Sequence, residues 1–143
     1  MTRIGLGNGY ELDDDKERID VDAVHAYLTD AYWALGRTRE EVADQLCTAW
    51  RVVGAYRDGA QVGYARAISD GHTSAHLLDV YVLPEHQGHG VGLAICREIC
   101  DGAGGTGLRW TLHTRDAHGL YRRLGFREPT TRLLERWPDD VPR

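Results

Sequence analysis

No segment of this 143-residue chain approaches the ~20 consecutive apolar residues that a membrane-spanning helix needs. The opening stretch, MTRIGLGNGYELDDDK, also lacks an apolar run of leader length. Cysteine is scarce. Cys47, Cys96 and Cys100 are odd in number and form no CxxC pair, so they read as reduced, structural thiols, which suits a cytoplasmic protein. Basic charge is short too: 17 lysines and arginines stand against 22 acidic residues, for a net charge of -5. A nucleic-acid role therefore has no electrostatic footprint. Lysine occurs once, at position 16. The seven histidines show no spacing that calls for a metal.

The remaining composition, 42% hydrophobic and 27% charged, is that of an ordinary globular protein. The length suits one domain over residues 1–143, large enough to bury a core. Val21, Val24, Leu28, Ala31 and Leu35 recur at helical spacing over residues 21–35, with Asp20 placed to cap the start. Thr38 and Glu41 have capping-box spacing, and Val42, Leu46, Ala49 and Trp50 form one face of a second helix. From residue 51 to 83 the period falls to two. Three strands are predicted, joined antiparallel by the turn dipeptides Asp58-Gly59 and Asp70-Gly71. Residues 90–101 read as a helix, 108–113 as a strand, 115–125 as a helix closed by Gly125, and 130–136 as a last strand. The strand-helix-strand run over 76–113 is a crossover unit, so its two strands should be parallel. The fold class expected is α/β, an α+β mixed sheet with antiparallel strands first, a parallel pair later, and helices on both faces. In such sheets ligands favour the carboxyl ends of the parallel strands.

The stretch DVYVLPEHQGHGVGL joins the third strand to a helix through Gly88, Gly90 and Gly92. The first turn of a helix offers unpartnered amides with partial positive charge, and glycines let an anion approach the backbone. Phosphate settles readily at such a place. A plain turn before a helix has the same appearance. A Walker loop is excluded because Gly90 is followed by Val91-Gly92-Leu93 instead of Lys-Ser/Thr, and GxGxxG fails at Leu93. Gly102, Gly104 and Gly107 do spell GxGxxG, but they follow a helix and precede a strand, the wrong order for dinucleotide binding, and read as a loop.

The pattern Gln-x-x-Gly-x-Gly, at Gln87, Gly90 and Gly92, resembles the acetyl-CoA loop of the GCN5-related N-acetyltransferase (GNAT) family. AHGLYRRLGF resembles the same family's downstream helix, with Tyr121 four residues before Gly125-Phe126. The element order also agrees, and the resemblance covers most of the chain. It implies an acetyl-CoA-dependent N-acetyltransferase acting on a primary amine, of a small molecule or a peptide, by direct attack. It implies that the pantetheine arm pairs with the backbone of Val80, Tyr81 and Val82. The pyrophosphate would sit over Gly88, His89, Gly90, Val91, Gly92 and Leu93, beside Gln87. An amide near Tyr81 or Val82 would face the acetyl oxygen, where charge develops as the amine attacks.

Tyr121 would protonate the departing thiolate, which a phenol of pKa ~10 can do at neutral pH. Many members of the family carry Asn where this chain has Thr114, which can cap a helix but cannot supply both functions of an amide. For the base that frees the amine, His113 and His118 stand level, beside Asp79, Glu85 and no dedicated base at all. Tyr27, Tyr32 and Trp33, with Asp30, could wall the amine pocket, although aromatic residues in helices more often serve the core. The alternatives are a non-catalytic acyl-CoA-binding or regulatory module and a transferase using another acyl-CoA. The resemblance allows a homodimer.

Overall fold

A computed structural model describes residues 2–130 and 133–139. A short hairpin opens the chain, β1 (Arg3–Gly5) and β2 (Tyr10–Asp13). Helices α1 (Val21–Thr29) and α2 (Arg39–Thr48) follow, then the meander β3 (Arg51–Arg57), β4 (Ala60–Ser69) and β5 (Ser74–Val82). Helix α3 (Val91–Asp101) crosses to β6 (Arg109–Thr111), and α4 (His118–Arg122) comes last. The six strands among the described residues form one sheet in sequence order, antiparallel except for the parallel pair β5–β6.

Each face of the sheet has its own core. Val24 and Leu28 of α1 and Val42 and Leu46 of α2 pack on Val52, Tyr64 and Tyr81. On the opposite face Val91, Ile95, Cys96 and Ile99 of α3 cover Val53, Ala65, Leu77 and Val82. Burying one such aliphatic side chain stabilises the fold by about 1.5–3 kcal/mol. The caps follow the sequence. Asp20 accepts from the Ala23 amide, and Thr38 and Glu41 form the reciprocal capping box. The single lysine closes the other end of α2, where Lys16 Nζ donates to the carbonyls of Cys47 (3.1 Å) and Ala49 (2.6 Å). Asp58 and Gly59 are both left-handed (φ 51° and 82°), as a two-residue hairpin turn requires.

Several predicted boundaries move. The first helix ends at Thr29, not 35, because the amides of Ala31, Ala34 and Arg37 bond three residues back in successive tight turns. Ala34 is buried in consequence and Leu35 is 71% exposed. Trp50 lies beyond α2 and joins the core on the other face. The strand predicted over 108–113 shortens to β6, and the helix predicted over 115–125 to α4. Gly125 (φ 89°) closes that region through its amide to the Arg122 carbonyl. The last strand predicted over 130–136 falls partly on residues 131 and 132, outside the described residues, and 133–136 form no strand. The N-terminal hairpin has no counterpart in the sequence reading.

Strict alternation fails inside β5. Leu77 and Val80 both pack against the α3-side core, while Tyr81 belongs to the α1/α2-side core. The cause is a bulge: the register with β4 shifts between Tyr64 and Arg66, and Asp79 takes a left-handed backbone (φ 55°).

Candidate active site

Strand β5 pairs with β4 along nearly its whole length, from Ala75 to Val82. On its other side it pairs with β6 only at Ser74, Ala75 and His76. Beyond His76 the pairing ends, and among the described residues no strand lies beside the β6-side edge through Val80, Tyr81 and Val82. A backbone edge of this kind accepts an extended, amide-bearing chain as an added strand.

The glycine loop lies at the end of that edge. Gly88 (φ 84°) and Gly90 (φ 78°) are left-handed, and a Cβ built on either would point into open space. Helix α3 begins at Val91 with Gly90 as its cap residue, which has no side chain to bond its first amides. The N-terminal partial charge at Val91, Gly92 and Leu93 is thus left for an outside anion. Gly92 sits where α3, β5 and α4 meet; its Cβ would lie 3.6 Å from Val82 Cγ2 and 3.7 Å from Leu120 Cδ1. Gln87 turns its side chain inward, Nε2 donating to the Val82 carbonyl at 3.0 Å, so it braces the loop. The N-terminal hairpin braces it from outside. Tyr10 Oη lies 2.9 Å from His86 Nδ1, and Asn8 Nδ2 donates to the His89 carbonyl at 3.4 Å. His89 itself is exposed.

Tyr121 stands on α4, packed against the α3-side core and edge-on to Phe126 with ring centroids 5.9 Å apart. Burial pushes its phenol well above the ordinary value, with smaller contributions from Cys96, Cys100, Tyr32 and Asp116. It stays protonated at neutral pH and is suited to give a proton. Thr114 caps the start of this region, Oγ1 accepting from the Ala117 amide at 3.0 Å. An open cleft of about 1520 Å³ takes in Tyr121, Thr114, His118, His113 and His76. The glycine loop lies outside it.

The predicted bases separate. His118 is exposed on the first turn of α4. His113 is exposed and faces Glu135, Nε2 to Oε1 at 3.6 Å. Glu85 is exposed in the turn after β5. Asp79 points to the α1/α2 side with both oxygens engaged. Oδ1 accepts from Trp33 Nε1 (3.1 Å), and Oδ2 from Arg37 Nη1 and Arg66 Nε (each 2.6 Å). A carboxylate so turned and bonded, 1% exposed, faces away from the gap beside β6.

Sequence reasoning passed over His76. Its ring lies 5.2 Å from that of His113, and Nδ1 is 2.7 Å from Thr111 Oγ1. Burial, then His113 and Arg66, hold its imidazole below the ordinary value, so it is neutral near pH 7 and able to accept a proton. The signal available was the parallel register that sets His76 opposite Thr111, and the sequence does not display it.

The aromatic wall divides. Tyr27 is half-buried and stacks on Tyr81, as a core residue does. Tyr32 and Trp33 are exposed, in edge-to-face contact, and the Arg115 guanidinium sits 3.7 Å above the Tyr32 ring. This contact joins the segment between α1 and α2 to the loop before α4. Among the described residues, no group of three or more His, Cys, Asp or Glu is arranged to hold a metal ion, and no helix is long and apolar enough to cross a membrane.

Comparison with known proteins points to one family. The family model described as an acetyltransferase (GNAT) domain matches residues 48–128. A candidate acetyltransferase of Gibberella zeae is 30% identical over 141 residues, covering 83% of this chain and 80% of its own. The crystal structure of a candidate GNAT-family acetyltransferase from Xanthomonas campestris is 37% identical, with a TM-score of 0.85 over 90% of this chain and 93% of its own. A candidate acetyltransferase from Deinococcus radiodurans shares the fold at 23% identity, with a TM-score of 0.73 over 95% of this chain and 94% of its own.

Proposed function

Given that the chain belongs to the GCN5-related N-acetyltransferase family, we propose that it moves an acetyl group from acetyl-CoA to a primary amine by direct attack in a ternary complex. One observation carries the reading: among the described residues the β6-side edge of β5 is unpaired from Leu77 to Val82, and it runs into a helix N-terminus without a side-chain cap, preceded by the left-handed Gly88 and Gly90. That pairing of features fits a ligand with an extended amide-bearing arm and a diphosphate.

Acetyl-CoA supplies the activated acyl group, and the chain's own residues do the rest. The backbone of Val80–Val82 holds the arm, and the amides of Gly88–Leu93 hold the diphosphate. An amide near Tyr81 or Val82 meets the acyl oxygen as it gains charge; losing one such donor typically costs ~3 kcal/mol of transition-state stabilisation. Tyr121, kept protonated by burial, gives its proton to the leaving sulfur. His113, His118 or His76, through water, takes the proton of the incoming ammonium. Tyr32, Trp33 and Arg115 border the amine's approach. The three free cysteines accord with a cytoplasmic setting.

The test is calorimetry with CoA, followed by thiol release from acetyl-CoA over a panel of primary amines, with Tyr121→Phe as control. Absence of CoA binding by folded protein ends the proposal. Binding without thiol release for any amine replaces it with a non-catalytic acyl-CoA-binding module. Competition among acyl-CoAs decides whether acetyl or a larger group such as succinyl is preferred.

A further inference from the structure

Asp79 is the one side chain of β5 that combines a left-handed backbone, deep burial and a full set of donors. Its φ of 55° is a conformation that side-chain-bearing residues adopt at a cost, so something must hold it there. Its carboxylate is 1% exposed. Its donors come from two other parts of the molecule: Arg66 from β4, and Trp33 and Arg37 from the segment between α1 and α2. Charge-assisted bonds of 2.6 Å from two guanidiniums are the strong kind.

The bulge and the clamp have linked consequences. The bulge sets which face each later residue of β5 takes, placing Val80 and Val82 on the α3 side and Tyr81 on the α1 side. It thereby sets which backbone groups of Val80–Val82 point into the gap beside β6. The clamp also fixes Trp33, whose neighbour Tyr32 carries Arg115 from the far wall.

We propose that Asp79 is a positioning residue that ties the amine-side segment 30–38 to the acyl-side backbone 79–82 through Arg37, so that the two halves of the site are ordered together. The proposal rests on the acetyl-transfer reading above. It gives Asp79 no part in proton transfer, since its carboxylate is buried on the α1/α2 side among Trp33, Arg37 and Arg66.

The test uses the full chain with Asp79→Asn, Arg37→Gln and Arg37→Lys. Asp79→Asn leaves a buried guanidinium without its partner and can fail to fold; Arg37 lies at the rim, 14% exposed, and its variants keep the question open to measurement. Deuterium exchange on the free protein is expected to quicken in both segment 30–38 and segment 79–82 of Arg37→Gln, by about tenfold. Thiol release from acetyl-CoA alone, with water as acceptor, should show kcat lowered about 10–100-fold and KM for acetyl-CoA little changed, as for misplaced groups. The pH profile should keep its shape, and Arg37→Lys should recover most of the loss.

Faster exchange confined to 30–38, an unchanged kcat, or a limb of the pH profile lost in Asp79→Asn would each overturn the proposal. If the wild type neither binds CoA nor releases thiol, the acetyl-transfer reading fails. The exchange data then still decide whether the two segments move as one.

Discussion

Tyr27 lies flat on Tyr81, ring centroids 4.1 Å apart and planes 10° from parallel. The stack fastens α1 to the strand whose backbone borders the proposed arm site. Offset aromatic pairs add about 0.5–1.5 kcal/mol beyond area burial, so Tyr27→Ala should destabilise the fold by about 2 kcal/mol in urea melts. Tyr27→Phe keeps the stack and should cost under about 0.5 kcal/mol.

Tyr121→Phe separates the hydroxyl from the ring. The ring's contact with Phe126 is kept, so stability should stay within about 0.5 kcal/mol of wild type. Thiol release with the best amine should fall by about 10²-fold or more, the usual contribution of a general acid. Equal rates for the two proteins would remove Tyr121 from the mechanism.

Leu93→Glu sets stability against binding. Leu93 is half-exposed in the first turn of α3, where a carboxylate stabilises a helix by about 0.3–1 kcal/mol. The same charge opposes an anion at that turn. The variant should melt no lower than wild type and bind CoA at least about tenfold more weakly, since 1.4 kcal/mol lost there is one decade. Undiminished CoA affinity in a titration would place the diphosphate elsewhere.

His76 should steepen the acid side of the stability curve. Burial, with His113 and Arg66, keeps its folded-state affinity for a proton below that of the unfolded chain, which titrates near pH 6.5. Its contribution is therefore whole above about pH 6.5 and is lost as pH falls through that value toward the lower folded one. Urea midpoints measured from pH 7.5 to 5 should decline less in His76→Gln than in wild type.

Thiol labelling should find one cysteine. Cys47 is exposed, whereas burial pushes Cys96 and Cys100 up to about 12, leaving them as unreactive thiols. Native protein treated with maleimide at pH 7.5 should gain a single adduct by mass spectrometry, at Cys47, and three after denaturation. This background site matters for any assay that reads free CoA through its thiol.

The meander β3–β5 and the crossover through α3 were legible because each carries a local signal: period-two alternation, Asp-Gly turns, and an apolar helical stripe at Val91, Ile95 and Ile99. The glycine loop was legible because Gly88 and Gly90 are needed for backbone reasons, and left-handed turns are hard to build otherwise. The N-terminal hairpin was missed because strands of three and four residues are too short to show a period. Its one clue was Gly7-Asn8-Gly9 between Leu6 and Tyr10. The bulge at Asp79 and the pairing of His76 with Thr111 depend on register between strands, which no single segment records.

The lone side-chain ammonium of this protein, on Lys16, is spent on two peptide carbonyls at the end of a helix, and every other permanently charged basic side chain is a guanidinium. Thioesters acylate uncharged amines without any catalyst, whereas a guanidinium keeps its proton and does not react. Among its side chains, a thioester would therefore find one amine to acylate, and that one is already held by the backbone.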